Sequence, residues 1–233
     1  MPSETEIARF AAGQNAKPPS RLGQRYSATR FLPEGGNTVV CHLDQSVPSH
    51  RAILEARERM QALPGAENFL YTPAASLHMT VFEGVIETRR TADAWPADID
   101  RDAPVATVTE ALMKRLEPFS APPAFAVRVK DVLPTGLLLT GATTEDDRIM
   151  RDWREALTTP FGYRHSDHDA YRFHMTFAYP TGWIPDDLVP VWIEELNAIR
   201  KDLSQAAPVI PLKAPAFCRF ADMEAFEELR VLA

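Results

Sequence analysis

The sequence predicts an α+β fold in which one pattern of strands and helices is laid down twice. Two segments carry most of that reading, Ser76-Leu77-His78-Met79-Thr80-Val81-Phe82 and Arg172-Phe173-His174-Met175-Thr176-Phe177-Ala178, each with a histidine and a threonine two residues apart in an apolar, strand-like run. The two histidines lie 96 residues apart, and the order strand, helix, His-x-Thr strand, helix occurs around each. A duplication of this kind predicts a bilobal, pseudo-two-fold molecule, with two antiparallel-rich sheets around a central cleft and helices outside.

Element by element, residues 1–36 carry scattered Pro, Gly and Arg without periodicity and read as an irregular N-terminal arm; residues 37–233 read as a single bilobal domain. Thr38 to Leu43 reads as a buried strand. Val47 to Leu63 reads as a helix with Ile53, Ala56, Met60 and Leu63 inward, closed by Pro64-Gly65. The first His-x-Thr strand spans Ser76 to Val85. After a loop from Arg89 to Pro104, Val105, Val108, Leu112 and Leu116 mark a helix that Pro118 stops. Phe125 to Val132 and Gly136 to Thr140 read as strands, and Thr144-Glu145-Asp146-Asp147 as a capping box opening a helix with Ile149, Trp153 and Leu157 inward. The second His-x-Thr strand spans Tyr171 to Tyr179. A helix from Asp186 then carries Leu188, Trp192, Leu196, Ile199 and Leu203, and strands near Val209 to Phe220 and Phe226 to Leu232 close the chain.

Composition narrows the function. With 233 residues, 45% hydrophobic and 24% charged, the chain can bury a sizeable core. A net charge of -7 disfavours coating of long double-stranded nucleic acid, which draws its affinity from basic surface, but leaves room for a small phosphorylated ligand in a locally positive cleft. Met1 to Phe10 lacks the apolar core of a signal peptide and no segment is long enough to span a membrane, so a cytoplasmic protein without a membrane partner is expected. Cys41 and Cys218 sit in apolar runs and read as buried, reduced thiols. Nothing in the sequence fixes the oligomeric state.

Side chains at i and i+2 of a strand share a face, roughly 6–7 Å apart, so each motif offers an imidazole beside a hydroxyl. A lone triplet of this type is ordinarily a core-edge histidine bonded to its threonine; two in equivalent slots of a repeat point to a phosphate grip. Chemistry at a bound phosphate ester needs a base for the nucleophile and an acid for the leaving oxygen, and histidine serves either role near neutrality. Threonine hydroxyls can donate to the non-bridging oxygens, so no cofactor and no metal is required.

On these residues the chain resembles the two-histidine (2H) phosphoesterases, and Gly36 to Leu43 and Gly162 to His168 are similar to a little-characterised bacterial branch of that family. The resemblance covers about residues 37–232. It implies catalytic roles for His78 and His174 and phosphate-holding roles for Thr80 and Thr176, and leaves open which histidine is the acid. The expected function is metal-independent hydrolysis of a cyclic phosphodiester, such as a nucleoside 2′,3′-cyclic phosphate, an RNA end bearing one or an ADP-ribose cyclic phosphate. The alternatives are 2′-5′ phosphodiester hydrolysis or ligation, and a non-catalytic module that binds a phosphorylated ligand or RNA end.

The stretch leading into the second motif supplies a candidate substrate wall: Tyr163, Arg164, His165, His168 and Tyr171, with Arg164 for a phosphate and the tyrosines for stacking. His165, His168 and His174 also raise a metal reading, disfavoured because it leaves the first motif unexplained. His42 and His50 read as structural. Arg21, Arg25 and Tyr26 are placed to fold over the cleft.

Overall fold

The computed structural model describes residues 4–233; the first three residues of the arm lie outside the described residues. In chain order the elements are α1 (Glu4–Ala8), β1 (Gly36–His42), α2 (His50–Gln61), β2 (Phe69–Tyr71), β3 (His78–Ile86), α3 (Val105–Arg115), β4 (Val127–Leu133), β5 (Gly136–Gly141), α4 (Thr144–Phe161), β6 (His174–Thr176), β7 (Ala178–Pro180), α5 (Val189–Ala206), β8 (Ala216–Phe220) and β9 (Glu227–Val231). Seven strands form an antiparallel sheet in the order β4-β5-β6-β3-β1-β8-β9, and β2 pairs with β7 in a second, two-stranded sheet. The α+β class and the antiparallel pairing are those the sequence predicts.

The duplication is visible in the register. On one side of the centre, Val40, Cys41 and His42 face Thr80, Met79 and His78; on the other, Gly136, Leu137 and Leu138 face Thr176, Met175 and His174. Every residue of the second set lies 96 positions after its counterpart, the same offset that separates the motifs. The two halves are not separate sheets, however, because β3 and β6 pair through Met79 and Met175, so one sheet runs through both.

That central pair explains why the motif is spaced as it is. Met79, Val81, Met175 and Phe177 are all 0% exposed and join the main core, into which the helices also send their apolar stripes, among them Ile53, Leu112, Trp153 and Trp192. The residues between them therefore face the opposite side. Slipping β6 by one residue would turn His174 into the core and Met175 out of it, forfeiting about 1.5–3 kcal/mol of methionine burial and leaving an imidazole to be desolvated.

Local signals set the helix ends. Thr143 caps α4, its hydroxyl accepting from the Asp146 N–H at 3.1 Å while the Asp146 carboxylate accepts from the Thr143 N–H at 2.9 Å; the box lies one residue earlier than the sequence reading. Gly162, at φ 73, ends it. α5 is preceded by a 3₁₀ turn at Asp186–Leu188 and buries Trp192, Leu196, Ile199 and Leu203. The strand read across Tyr171 to Tyr179 is broken: the N–H groups of Phe177 and Ala178 both donate to the Thr135 carbonyl, at 2.8 and 3.2 Å, and the chain leaves the large sheet as β6 to join β2 as β7.

The arm packs onto the domain. Ile7 is 0% exposed in the main core, and Tyr26 and Phe31 form a second apolar cluster with Ile86, Phe220 and Met223. Cys41 and Cys218 are buried free thiols. Among the described residues no helix is long and apolar enough to cross a membrane.

Candidate active site

A cleft lies on the sheet face opposite the helices, and His78, Thr80, His174 and Thr176 all line it. With Met79 opposite Met175, antiparallel geometry sets His78 across from Thr176 and Thr80 across from His174. Cross-strand partners sit about 4.5–5.5 Å apart at Cα. The four side chains thus make a quadrilateral about a local two-fold, with each imidazole flanked by one hydroxyl along its strand and another across it.

Both rings are held in the same way. The Nδ1 of His78 lies 2.6 Å from the Ser76 carbonyl, and that of His174 lies 2.8 Å from the Arg172 carbonyl. A carbonyl only accepts, so Nδ1 carries the proton and donates it, which leaves Nε2 as the free nitrogen in each neutral ring. The surroundings then differ. His174 is exposed, whereas His78 is half-buried, with the Phe226 ring centred 4.2 Å and the His42 ring 6.2 Å away. Burial pushes the His78 pKa from its ordinary 6.5 to about 4; the Ser76 carbonyl opposes the shift, and His42 and His174 add to it. His42 adds a smaller part to this asymmetry, since the position facing His174 is Leu138 where His78 faces His42.

The rest of the lining combines an apolar group, Ile86, Phe220, Met223 and Phe226, with polar side chains from Arg25, Thr72, Glu83 and Tyr179. Glu83 reaches this face through a β-bulge. β1 pairs Val40 with Thr80 and Val39 with Phe82, so Val81 is the extra residue, and both Thr80 and Glu83 point into the cleft although they are three apart. Strict alternation would have put Glu83 on the core side. Its carboxyl, bonded to Arg89 at 2.7 Å, sits below the usual carboxylate range despite burial, because Arg89, His165 and Arg25 outweigh the desolvation.

Tyr163, Arg164, His165, His168 and Tyr171 do not line this cleft. Instead, most of them brace the bulge. The Tyr163 hydroxyl and His165 Nε2 both donate to the Glu83 carbonyl, at 3.1 and 2.8 Å, and Arg154 Nη1 donates to the Val81 carbonyl at 2.7 Å. Tyr171 lies under the Arg154 guanidinium, 3.7 Å from ring centre to Cζ. His168 is buried beside Glu155 at 3.2 Å, and burial lowers its pKa as it does that of His165. Arg164 is turned to solvent and paired with Asp169 at 2.6 Å. His165 and His168 pack against Phe82, a core residue, so they do not converge with His174 as a metal site would require; among the described residues no group of three or more His, Cys, Asp or Glu is arranged to hold a metal ion.

Two imidazoles and two hydroxyls brought to one cleft by adjacent strands, with a duplicated register around them, make the arrangement of a two-histidine phosphoesterase. The chain belongs to the 2H phosphoesterase family: residues 25–138 match the family model described as "2H-phosphodiest: Domain of unknown function (DUF1868)". It is similar along nearly its whole length to a solved structure from Agrobacterium tumefaciens str. C58, described as the conserved protein of unknown function ATU0111. Identity is 43%, the TM-score is 0.95, and the match covers 97% of this chain and 98% of that one. No curated protein matches the chain.

Proposed function

We propose that the protein hydrolyses a cyclic phosphodiester, of the nucleoside 2′,3′-cyclic phosphate type or an RNA end bearing one, with His78 as general base and His174 as general acid. The observation that carries this reading is the matched pair of rings, each tied at Nδ1 to its own strand with Nε2 left free, in one cleft.

His78 is the ring whose burial keeps it neutral at physiological pH, so its Nε2 has a lone pair to accept a proton from water. The resulting hydroxide equivalent adds to phosphorus, and the bond to one ring oxygen of the cyclic ester breaks. His174, the solvent-exposed ring, supplies the proton that this leaving oxygen takes up as it becomes a hydroxyl. A second proton, at Nδ1, stays on each ring through the exchange. Thr80 and Thr176 donate to the non-bridging oxygens, where negative charge builds as phosphorus becomes five-coordinate. The apolar lining, Phe226 and Phe220 in particular, offers rings against which a nucleoside can lie.

The test is a panel of nucleoside 2′,3′-cyclic phosphates, oligonucleotides ending in a cyclic phosphate and 2′-5′-linked dinucleotides, scored by the phosphomonoester isomer formed, with wild type, His78→Ala and His174→Ala. Turnover of the cyclic esters that both substitutions abolish supports the reading. Turnover confined to the 2′-5′ linkage moves the substrate class, and tight binding without product in the wild type replaces the enzyme by a binding module. Full activity in either alanine variant refutes the two-histidine mechanism.

A further inference from the structure

We infer that Arg25, supplied by the N-terminal arm, is the cationic ligand of the substrate's phosphate. The inference rests on the phosphoesterase reading above and adds to it a residue that lies outside both His-x-Thr strands. Apart from the two imidazoles, the cleft is lined by hydroxyls, apolar groups and the Glu83 carboxylate, and the chain carries a net charge of -7. An anionic substrate needs a local cation, and Arg25 is the arginine in the lining.

The arm is built to hold it there. Tyr26, next in sequence, is 2% exposed, donates its hydroxyl to the Pro180 carbonyl at 2.8 Å and packs its ring 5.2 Å from that of Tyr179. This pins the arm to β7 at the edge of the cleft. Glu34, also 2% exposed, then fixes the guanidinium: its carboxylate accepts from Arg25 Nε, from Arg21 Nη2 at 2.8 and 3.1 Å, and from the Thr88 hydroxyl. One carboxylate faces two arginines, so the cluster keeps one positive charge in excess.

The way that charge is presented favours a ligand over a purely structural cation. Arg21 meets Glu34 through its terminal nitrogen, whereas Arg25 meets it through Nε, which leaves its Nη groups for other partners. The rest of the guanidinium is turned to the Tyr179 hydroxyl and the cleft. A planar fork held through Nε at the lining of the cleft is suited to hydrogen bonding with phosphate oxygens.

The experiment compares Arg25→Gln, Arg25→Lys and Arg25→Ala with wild type in the intact chain. Its readouts are steady-state kinetics on the best substrate of the panel, inhibition by inorganic phosphate, calorimetric titration with inorganic phosphate and thermal unfolding. Arg25→Gln is expected to lose about 10²–10³-fold in kcat/KM and to bind inorganic phosphate more weakly, with Arg25→Lys regaining part of both. Added guanidinium ion is expected to restore activity to Arg25→Ala, which a defect of folding would not allow. Arg25→Gln with wild-type kcat/KM and phosphate affinity overturns the inference, as does a loss that follows the drop in melting temperature and is not rescued. If wild type turns over substrate through His78 and His174 while Arg25→Gln is unaffected, this inference alone falls. If wild type shows no turnover and no phosphate binding, both fall.

Discussion

Acidifying the protein should charge His78 late and at the expense of stability. In the folded chain its pKa is about 4, against an ordinary value of 6.5 that the unfolded chain regains. A base whose folded pKa is depressed contributes its full share above the unfolded value, and that share is lost as the pH falls from 6.5 towards 4, because the unfolded state binds the proton first. At pH 4.5 the linkage amounts to about 2.5 kcal/mol, from 1.36 kcal/mol per pH unit with the partial protonation of both states included. The assay is denaturant unfolding at pH 7 and pH 4.5 for wild type and His78→Gln, with an NMR titration of the His78 ring in the free protein. His78→Gln should lose less stability than wild type by roughly this amount. A His78 ring that titrates near 6.5, or a pH dependence of unfolding that His78→Gln leaves unchanged, would refute the argument that burial keeps this ring neutral.

The remaining predictions concern turnover and folding. The acid limb of kcat/KM should be displaced below 6.5 towards about 4, because the base must be unprotonated to work; a midpoint at 6.5 or above would assign the base elsewhere. Thr80→Val and Thr176→Val should each lower kcat by about 10–10³-fold with melting temperature nearly unchanged, and unaltered kinetics would reduce the hydroxyls to packing. Gly136→Ala should destabilise the β5–β6 pairing strongly, since its φ is +137 and an added Cβ would lie 2.2 Å from the Met175 carbonyl oxygen; a melting temperature within a degree of wild type would show that β6 can shift to accept it.

How much of this was legible in the chain can be traced residue by residue. The central strands announced themselves because β3 and β6 each have one face in the core and one in the cleft, so Met and His alternate with period two. The 96-residue offset was readable for the same reason, since each half repeats the same burial pattern. The joining of both halves into one sheet was not, because a single cross-strand pair, Met79 with Met175, is a contact between distant stretches that neither segment encodes alone. Glu83 was hidden by the bulge at Val81, which alternation reads as the wrong face. Tyr163 to Tyr171 was polar and aromatic enough to suggest a wall for substrate, yet Tyr163 and His165 serve the main-chain carbonyl of Glu83, while the Val81 carbonyl is braced by Arg154 of α4. Arg25 and Glu34 are nine residues apart in an arm with no periodicity, where a fold-back that pairs Tyr26 with Phe31 and bonds the Leu32 N–H to the Arg25 carbonyl brings them together.

Tethering each imidazole by its inner nitrogen has a consequence for the proposed catalytic cycle as a whole. Protons are loaded and unloaded only at the outer nitrogen, so neither ring has to flip between one turnover and the next, and the spacing between them is set by the sheet rather than by loops. The cycle also rewinds downhill on the side that matters: a proton gained by the sheltered ring is poorly held there and departs unaided, while the ring facing water exchanges with the bulk. In the proposed mechanism, then, neither imidazole need turn over between one substrate and the next.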